Sequence, residues 1–328
     1  MRLPPRSAAR SVAVCLLTLV FAALLNAKGM RKTAEIQQQG WQRGLGLAVA
    51  KPLVDVSSFL HLTAPRHGIQ VALGRQSWDQ IDTQVHFTVP PATHPTRPAP
   101  SPARRKPRAT LPRFTAARPL RVWVAGDSLA EVPGQGLERV AGPDVDIVGV
   151  ESRLSTGLAR PDLYNWFLRI PVAVRQLVPR VVVFSFGADD AHDYLAGVPK
   201  GRTVGPLGSP SWDAEYRRRV EGVTRELAAR QVFVVWLGLP IPDGSGFKHS
   251  FPIVNRILEQ VAKANPGTST YVDTWHMLDD AHGRYTAYLR ENGQLTLMRL
   301  PDGVHYTAAA GDLIARQVLS QLRERFAF

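Results

Sequence analysis

A single cysteine in 328 residues, Cys15, excludes an intramolecular disulfide and any thiolate metal site. Acidic residues are missing altogether between Asp82 and Asp127, whereas Arg97, Arg104, Arg105, Lys106, Arg108, Arg113 and Arg118 fall in that gap. The formal net charge of +13 therefore belongs largely to one segment and not to the folded body. Between Arg97 and Arg108 no aromatic residue is interleaved with the basic ones, which argues against nucleic acid as a partner. The chain also has no phosphate-binding glycine loop, no dinucleotide fingerprint and no credible cluster of metal ligands, so no cofactor and no metal are expected.

What is present begins with an uncharged run, "SVAVCLLTLVFAALLNA" (11–27), preceded by Arg2, Arg6 and Arg10. The pattern fits a signal peptide or a signal anchor. "LNAKG" is a poor cleavage site, which favours an uncleaved, single-pass membrane anchor with the C-terminal domain outside the cytoplasm. The expected organisation is a basic N-terminal region (1–10), a transmembrane signal anchor (11–27), a membrane-proximal segment (28–85), a Pro/Arg-rich linker (86–119) and a catalytic-type domain (120–328). In the linker, closely spaced prolines without apolar periodicity predict an extended, unpacked chain.

From Leu120 onward, short β-rich runs alternate with helical patterns. "LRVWVA" (120–125), "VDIVGV" (145–150), "RVVVFSF" (180–186), "QVFVVWLG" (231–238) and "STYVD" (269–273) read as strands. Helices are expected over about 130–141, 165–179, 211–230, 251–265 and 307–325. Near-continuous apolar strands separated by helices predict an α/β domain with a central parallel sheet covered on both faces. Functional groups in such sheets lie just beyond the carboxyl ends of the strands.

Ser128 lies two residues past the first strand and opens a helical run, where a nucleophile gains from backbone N–H groups. Taken alone, a serine there reads first as a helix N-cap. A nucleophile needs a histidine base and a carboxylate to orient it. D-x-x-H occurs four times: Asp189/His192, Asp273/His276, Asp279/His282 and Asp302/His305. Position selects Asp302 and His305, whose loop contains Gly303 and runs into the last helix. Asp273/His276, at the end of the fifth strand, is the rival pair, and His192 and His282 read as surface loop residues. Among the tryptophans, Trp123 and Trp236 lie within strands and are expected in the core, while Trp166, Trp212 and Trp275 are candidates to line a pocket. Arg153 and Arg160 flank Gly157 and read as solvated.

Residues 120–320 resemble the SGNH (GDSL-type) hydrolase superfamily in four ordered blocks: "AGDSLAE" around Ser128, "STGL" through Gly157, "GADD" (187–190) and "DGVHYT" (302–307). The stretches "VESRLSTGLARPDLYNW" and "VDTW…DGVHYT" are similar to its DUF459-type, often membrane-anchored bacterial branch. The resemblance implies a three-layer, flavodoxin-like fold. It also implies a Ser128–His305–Asp302 triad, with an oxyanion site made by the amides of Ser128 and Gly157 and an asparagine side chain. Here the asparagine position is Asp189, and an ionised carboxylate accepts hydrogen bonds but cannot donate. Three outcomes are open: Asp189 is protonated, it turns away to pair with Arg153 or Arg160, or the protein is blunted. The expected function is an extracytoplasmic serine esterase or O-acyltransferase acting on small, acetyl-like esters, with envelope polysaccharide a candidate substrate. The alternative is a binding or scaffold protein of the envelope, with protein partners that the sequence does not identify.

Overall fold

The computed structural model describes residues 6–36, 41–60, 62, 83–87, 111–199 and 201–328; most of the expected linker lies outside them. The chain divides into two compact units, Met1–Ile81 and Asp82–Phe328.

Among the described residues the first unit holds the helices α1 (Arg6–Leu25), α2 (Ala27–Ile36) and α3 (Trp41–Phe59). Small side chains allow α2 and α3 to approach: a Cβ at Gly46 would lie 3.0 Å from that of Ala34, and Ala27, Ala34, Ala50 and Ser57 are buried. No helix among the described residues is long and apolar enough to cross a membrane. After Arg10, α1 continues only to Leu25, a length of about 22 Å at 1.5 Å per residue against roughly 30 Å of hydrocarbon. The spanning anchor expected over 11–27 is therefore not shown.

The second unit is built on five parallel strands, β1 (Leu120–Gly126), β2 (Val145–Ser152), β3 (Val181–Ser185), β4 (Phe233–Leu237) and β5 (Ser269–Val272), in the order β2-β1-β3-β4-β5. Every residue of β3 and β4 is buried, as their unbroken apolar sequences require for strands covered on both faces. The helices are α4 (Glu131–Val140), α5 (Trp166–Leu177), α6 (Pro210–Ala229), α7 (Ser245–Lys248), α8 (Ser250–Ala264), α9 (Thr274–Met277) and α10 (Ala308–Arg323). Their starts follow local chemistry. Asn165 accepts from the amides of Phe167 and Leu168 to cap α5, Ser209 caps α6 ahead of Pro210, and Thr307 caps α10.

Because the chain leaves β1 towards β2 and then returns past β1 to β3, right-handed connections place α4 on one face and α5, α6 and α8 on the other. α4 packs on α10, where glycine backbones meet: a Cβ at Gly136 would collide with the Gly311 carbonyl. The opposite face is aromatic, with Phe184 touching both Trp123 and Trp236, and Phe186 touching Trp166. Trp166 and Trp212 are fully buried in this core, so they do not line a pocket as one reading of the sequence had it.

The domain begins earlier than residue 120. Phe87 packs edge-on against Phe167 with their centroids 5.6 Å apart, and Gln84 accepts from the Asn165 side chain. Phe114 stacks edge-on with Phe326 and donates its amide to Ala327. Residues 83–87 and 112–118 are thus fastened to the folded body, where the sequence suggested the end of a membrane-proximal segment and an unpacked linker. An antiparallel hairpin, β6 (Tyr288–Glu291) and β7 (Gln294–Leu297), lies between α9 and the last loop. Its two-residue turn, Asn292-Gly293, has φ of 51° and 82°, both in the left-handed region that this dipeptide tolerates.

Candidate active site

The reversal of strand order between β1 and β3 opens a crevice at their carboxyl ends, and the loops after β1, β2 and β3 meet there. Gly126 ends β1 so close to β3 that any Cβ would collide with the Ser185 carbonyl. The next amide, that of Asp127, donates to that carbonyl at 3.0 Å. The Asp127 side chain is fully buried and accepts from the amides of Leu129, Gly187 and Ala188 at 2.9, 3.1 and 3.2 Å. It caps the single 3-10 turn Ser128–Ala130 and binds it to the loop after β3. Ser128 opens that turn.

The loop preceding α10 supplies the partner groups. Asp302 accepts from the amides of Val304 and His305 at 2.8 and 2.9 Å with one oxygen, and its other oxygen is 2.8 Å from His305 Nδ1. On the far side of the ring, His305 Nε2 is 2.8 Å from Ser128 Oγ. Partial burial would raise the Asp302 carboxyl, but the two amides and the imidazole outweigh it and hold the group below the usual range. An ionised Asp302 fixes the tautomer in which Nδ1 donates and Nε2 accepts from the serine hydroxyl.

The loop after β2 forms the third wall. Ser155 adopts φ of 56°, Thr156 Oγ1 donates to the Arg153 carbonyl at 2.7 Å, and the indole of Trp166 donates to Thr156 at 3.0 Å. Arg153 donates its amide to Gly126 at 2.9 Å, so the loop is hung on the end of β1. Beneath it lies Asp190, fully buried, which accepts from the amides of Leu158 and Ala159 at 3.0 and 2.7 Å and from the Tyr216 hydroxyl at 2.6 Å. A Cβ at Gly157 would collide with this carboxylate, so glycine is required for the approach. Arg219, also fully buried, donates to the carbonyls of Leu158 and Ala196 at 2.7 Å each and pairs with Glu215 at 2.9 Å. Among the described residues no acceptor engages the amides of Ser128 or Gly157, which leaves both N–H groups available to a ligand oxygen.

Asp189 sits between these walls. It is half-buried, accepts from the Ser155 amide and feels the charge of His305. Burial, reinforced by the neighbouring Asp190, pushes its carboxyl up to about 6. Asp127 and Asp190 are likewise raised, chiefly by burial. Among the described residues Asp189 forms no ion pair; Arg153 pairs with Glu151 at 3.3 Å and Arg160 with Asp162 at 2.7 Å. Arg160 is 3% exposed, so it belongs to the scaffold and not to the solvated surface where the sequence put it.

The structure therefore brings Ser128, His305 and Asp302 into one hydrogen-bonded chain, with Gly157 and Asp189 in the adjoining loops. The rival pair forms its own contact, His276 Nδ1 to Asp273 at 2.6 Å, where Asp273 caps α9 and the imidazole side chain is 73% exposed. Neither member is hydrogen-bonded to Ser128. His282 is exposed and His192 half-buried. Asp127, Asp190, Tyr216 and Arg219 were not singled out from the sequence. The two aspartates were within reach of such a reading, since each belongs to a block already recognised. Among the described residues, no group of three or more His, Cys, Asp or Glu side chains is arranged to hold a metal ion.

The domain is thus an α/β fold with a serine, a histidine and an aspartate joined in one hydrogen-bonded chain at the carboxyl edge of a parallel sheet. Residues 121–321 match the family described as protein of unknown function (DUF459), and the chain belongs to that family. No curated protein matches it. Among solved structures it is similar to a lipase/acylhydrolase from Enterococcus faecalis, at 16% identity over 62% of this chain and 96% of the other, with a TM-score of 0.42. It is also similar to a catalytic mutant of an acetylxylan esterase from Geobacillus stearothermophilus, at 13% identity over 62% and 93%, with a TM-score of 0.43. A third similarity is to the C-terminal catalytic domain of peptidoglycan O-acetyltransferase A from Streptococcus pneumoniae, at 13% identity over 63% and 94%, with a TM-score of 0.38.

The raised Asp189 carboxyl has a thermodynamic consequence. Between its ordinary value of 3.8 and about 6 the folded chain binds a proton at Asp189 that the unfolded chain releases. The contribution of this group to stability is thus complete below about pH 4 and is lost as pH rises through 6, on the order of 3 kcal/mol in all. In urea unfolding from pH 4.5 to 7.5, Asp189→Asn will gain stability relative to wild type as pH rises; parallel curves would show that Asp189 titrates normally.

Proposed function

We propose that the domain is a serine esterase or O-acyltransferase acting on small acyl esters through an acyl-enzyme. The observation that carries this reading is the unbroken chain from Ser128 Oγ through His305 to Asp302, with both linking distances 2.8 Å. Ser128 Oγ attacks the ester carbonyl while His305 Nε2 takes its proton, and the same imidazolium then protonates the leaving alkoxide. Asp302 holds the ring and stabilises its charge. The developing oxyanion is held by the free amides of Ser128 and Gly157. Water or a sugar hydroxyl, deprotonated by His305, resolves the acyl-enzyme; the first gives hydrolysis and the second acyl transfer. Trp123, Trp166, Trp212 and Trp236 are buried in the core, so of the tryptophans considered for a pocket only the half-buried Trp275 is left to line one, which supports a small acyl group over a long one.

Asp189 adds a third oxyanion donor only while protonated, since its carboxylate accepts but cannot donate. Below pH 6 a protonated Asp189 donates; above it, the negative charge opposes the developing oxyanion. This is also the observation that favours a second reading, a binding protein of the same fold with little turnover at neutral pH.

The extracytoplasmic placement, and with it an envelope glycan as ester substrate, is supported by the arginine-flanked apolar run at 11–27. Alkaline phosphatase fused after Phe328 is expected to be active in cells, and an inactive fusion would overturn the placement.

The test of activity is p-nitrophenyl acetate hydrolysis by the full chain from pH 5 to 9. Ser128→Ala is expected to lower kcat by at least about 10³-fold. The ratio of Asp189→Asn to wild-type kcat is expected to rise as pH passes through 6, reaching about 10²-fold above it; the need for a neutral base is common to both proteins and cancels from the ratio. Unchanged turnover in Ser128→Ala would overturn the esterase reading. A silent wild type beside an active Asp189→Asn would favour the binding protein.

A further inference from the structure

Arg299 has no role in the chemistry above, yet it is 1% exposed and forms no ion pair among the described residues. Burying a guanidinium without a carboxylate is costly, and an apolar side chain of similar volume would fill the space without that cost. Its donors all go to main-chain carbonyls: Nη1 to Ile241 at 3.0 Å, Nη2 to Gly303 at 2.9 Å and to Val304 at 2.7 Å. Nε has no partner among the described residues. The rings of Tyr285 and Tyr306 each lie 5.6 Å from the guanidinium carbon and replace a counter-charge by their π faces.

Gly303 and Val304 are the two residues between Asp302 and His305, while Ile241 belongs to the loop after β4. The planar fork of one arginine therefore clamps the loop bearing the base to a separate loop at the carboxyl edge of the sheet. The Asp243 amide donates to the Gly303 carbonyl at 3.1 Å, closing the same joint. Gly303 has φ of 72°, and a Cβ there would collide with that of Asp243. Among the described residues the His305 ring has no hydrogen-bond partner other than Asp302 and Ser128. Its reach to Ser128 therefore depends on where the 302–305 loop is held.

We propose that Arg299 is a positioning residue for the proposed reaction: by clamping the carbonyls of Gly303 and Val304 to that of Ile241, it sets the 302–305 loop where His305 reaches Ser128. The inference rests on the reading of Ser128, His305 and Asp302 as the reacting groups. Lysine keeps the charge but presents a point donor that cannot bridge both loops in one plane, and methionine keeps the volume alone.

The test uses the full chain as wild type, Arg299→Lys and Arg299→Met, with folding checked by circular dichroism. The first readout is the downfield proton resonance of His305 Nδ1–H in its hydrogen bond to Asp302, assigned by its loss in His305→Ala. The second is the split between kcat and KM. In the folded variants the resonance is expected to be lost to exchange with water, and kcat to fall by about 10²-fold, the cost of an ångström-scale misplacement, with KM within about twofold. A folded variant that keeps both the resonance and wild-type kcat overturns the proposal. Failure of both variants to fold also overturns it, because Arg299 would then serve the core. If wild type proves inactive, the esterase reading fails separately, and the resonance alone decides the role of Arg299.

Discussion

Two buried carboxylates hold the site together. Asp127 and Asp190 accept five backbone amides between them, from the loops after β1, β2 and β3, and so convert three separate strand ends into one rigid rim. These amides satisfy oxygens that have no access to water, and each bond left unmade would leave a buried polar atom with its desolvation cost uncompensated. The arrangement also explains two glycines. Gly126 admits the close passage of β1 past Ser185, and Gly157 admits Asp190 under the loop that flanks the nucleophile.

The same device places a third carboxylate, Asp189, next to the other two. Burial and the charge of Asp190 raise it, and the imidazole of His305 pulls the other way. Its protonation is therefore coupled both to the scaffold beneath it and to the base beside it. An asparagine would be neutral throughout, whereas an aspartate gives this wall of the site a charge that depends on pH. Aspartate at this position, where the resemblance implies asparagine, is thus an electrostatic change beside an unbroken Ser128–His305–Asp302 chain.

Much of the fold is legible in the sequence. Unbroken runs such as "VVVFS" and "FVVWL" name the central strands, and capping residues such as Asn165 and Ser209 mark helix starts within a residue or two. Ser128 and His305 were recoverable because local blocks carry them. What was not legible depends on contacts distant in the chain. Arg219 reads as one charge among several on a helix, and only the topology buries it under Leu158 and Ala196. Arg160 is likewise polar by composition and buried by context. Phe87 and Phe114 lie in sequence surroundings that read as linker, because nothing local reveals that Phe167 and Phe326 await them. The β6–β7 hairpin was missed although its Asn-Gly turn was there to be read.

The proposed function turns on one claim: that Ser128 is activated by His305, 177 positions away along the chain, whose ring nitrogen lies 2.8 Å from its hydroxyl. The most direct measurement is the intact mass and peptide map of the full chain after exposure to a fluorophosphonate. The account predicts a single adduct, located on Ser128 and absent from both Ser128→Ala and His305→Ala. An unmodified wild-type chain, or an adduct that persists when His305 is removed, would contradict it.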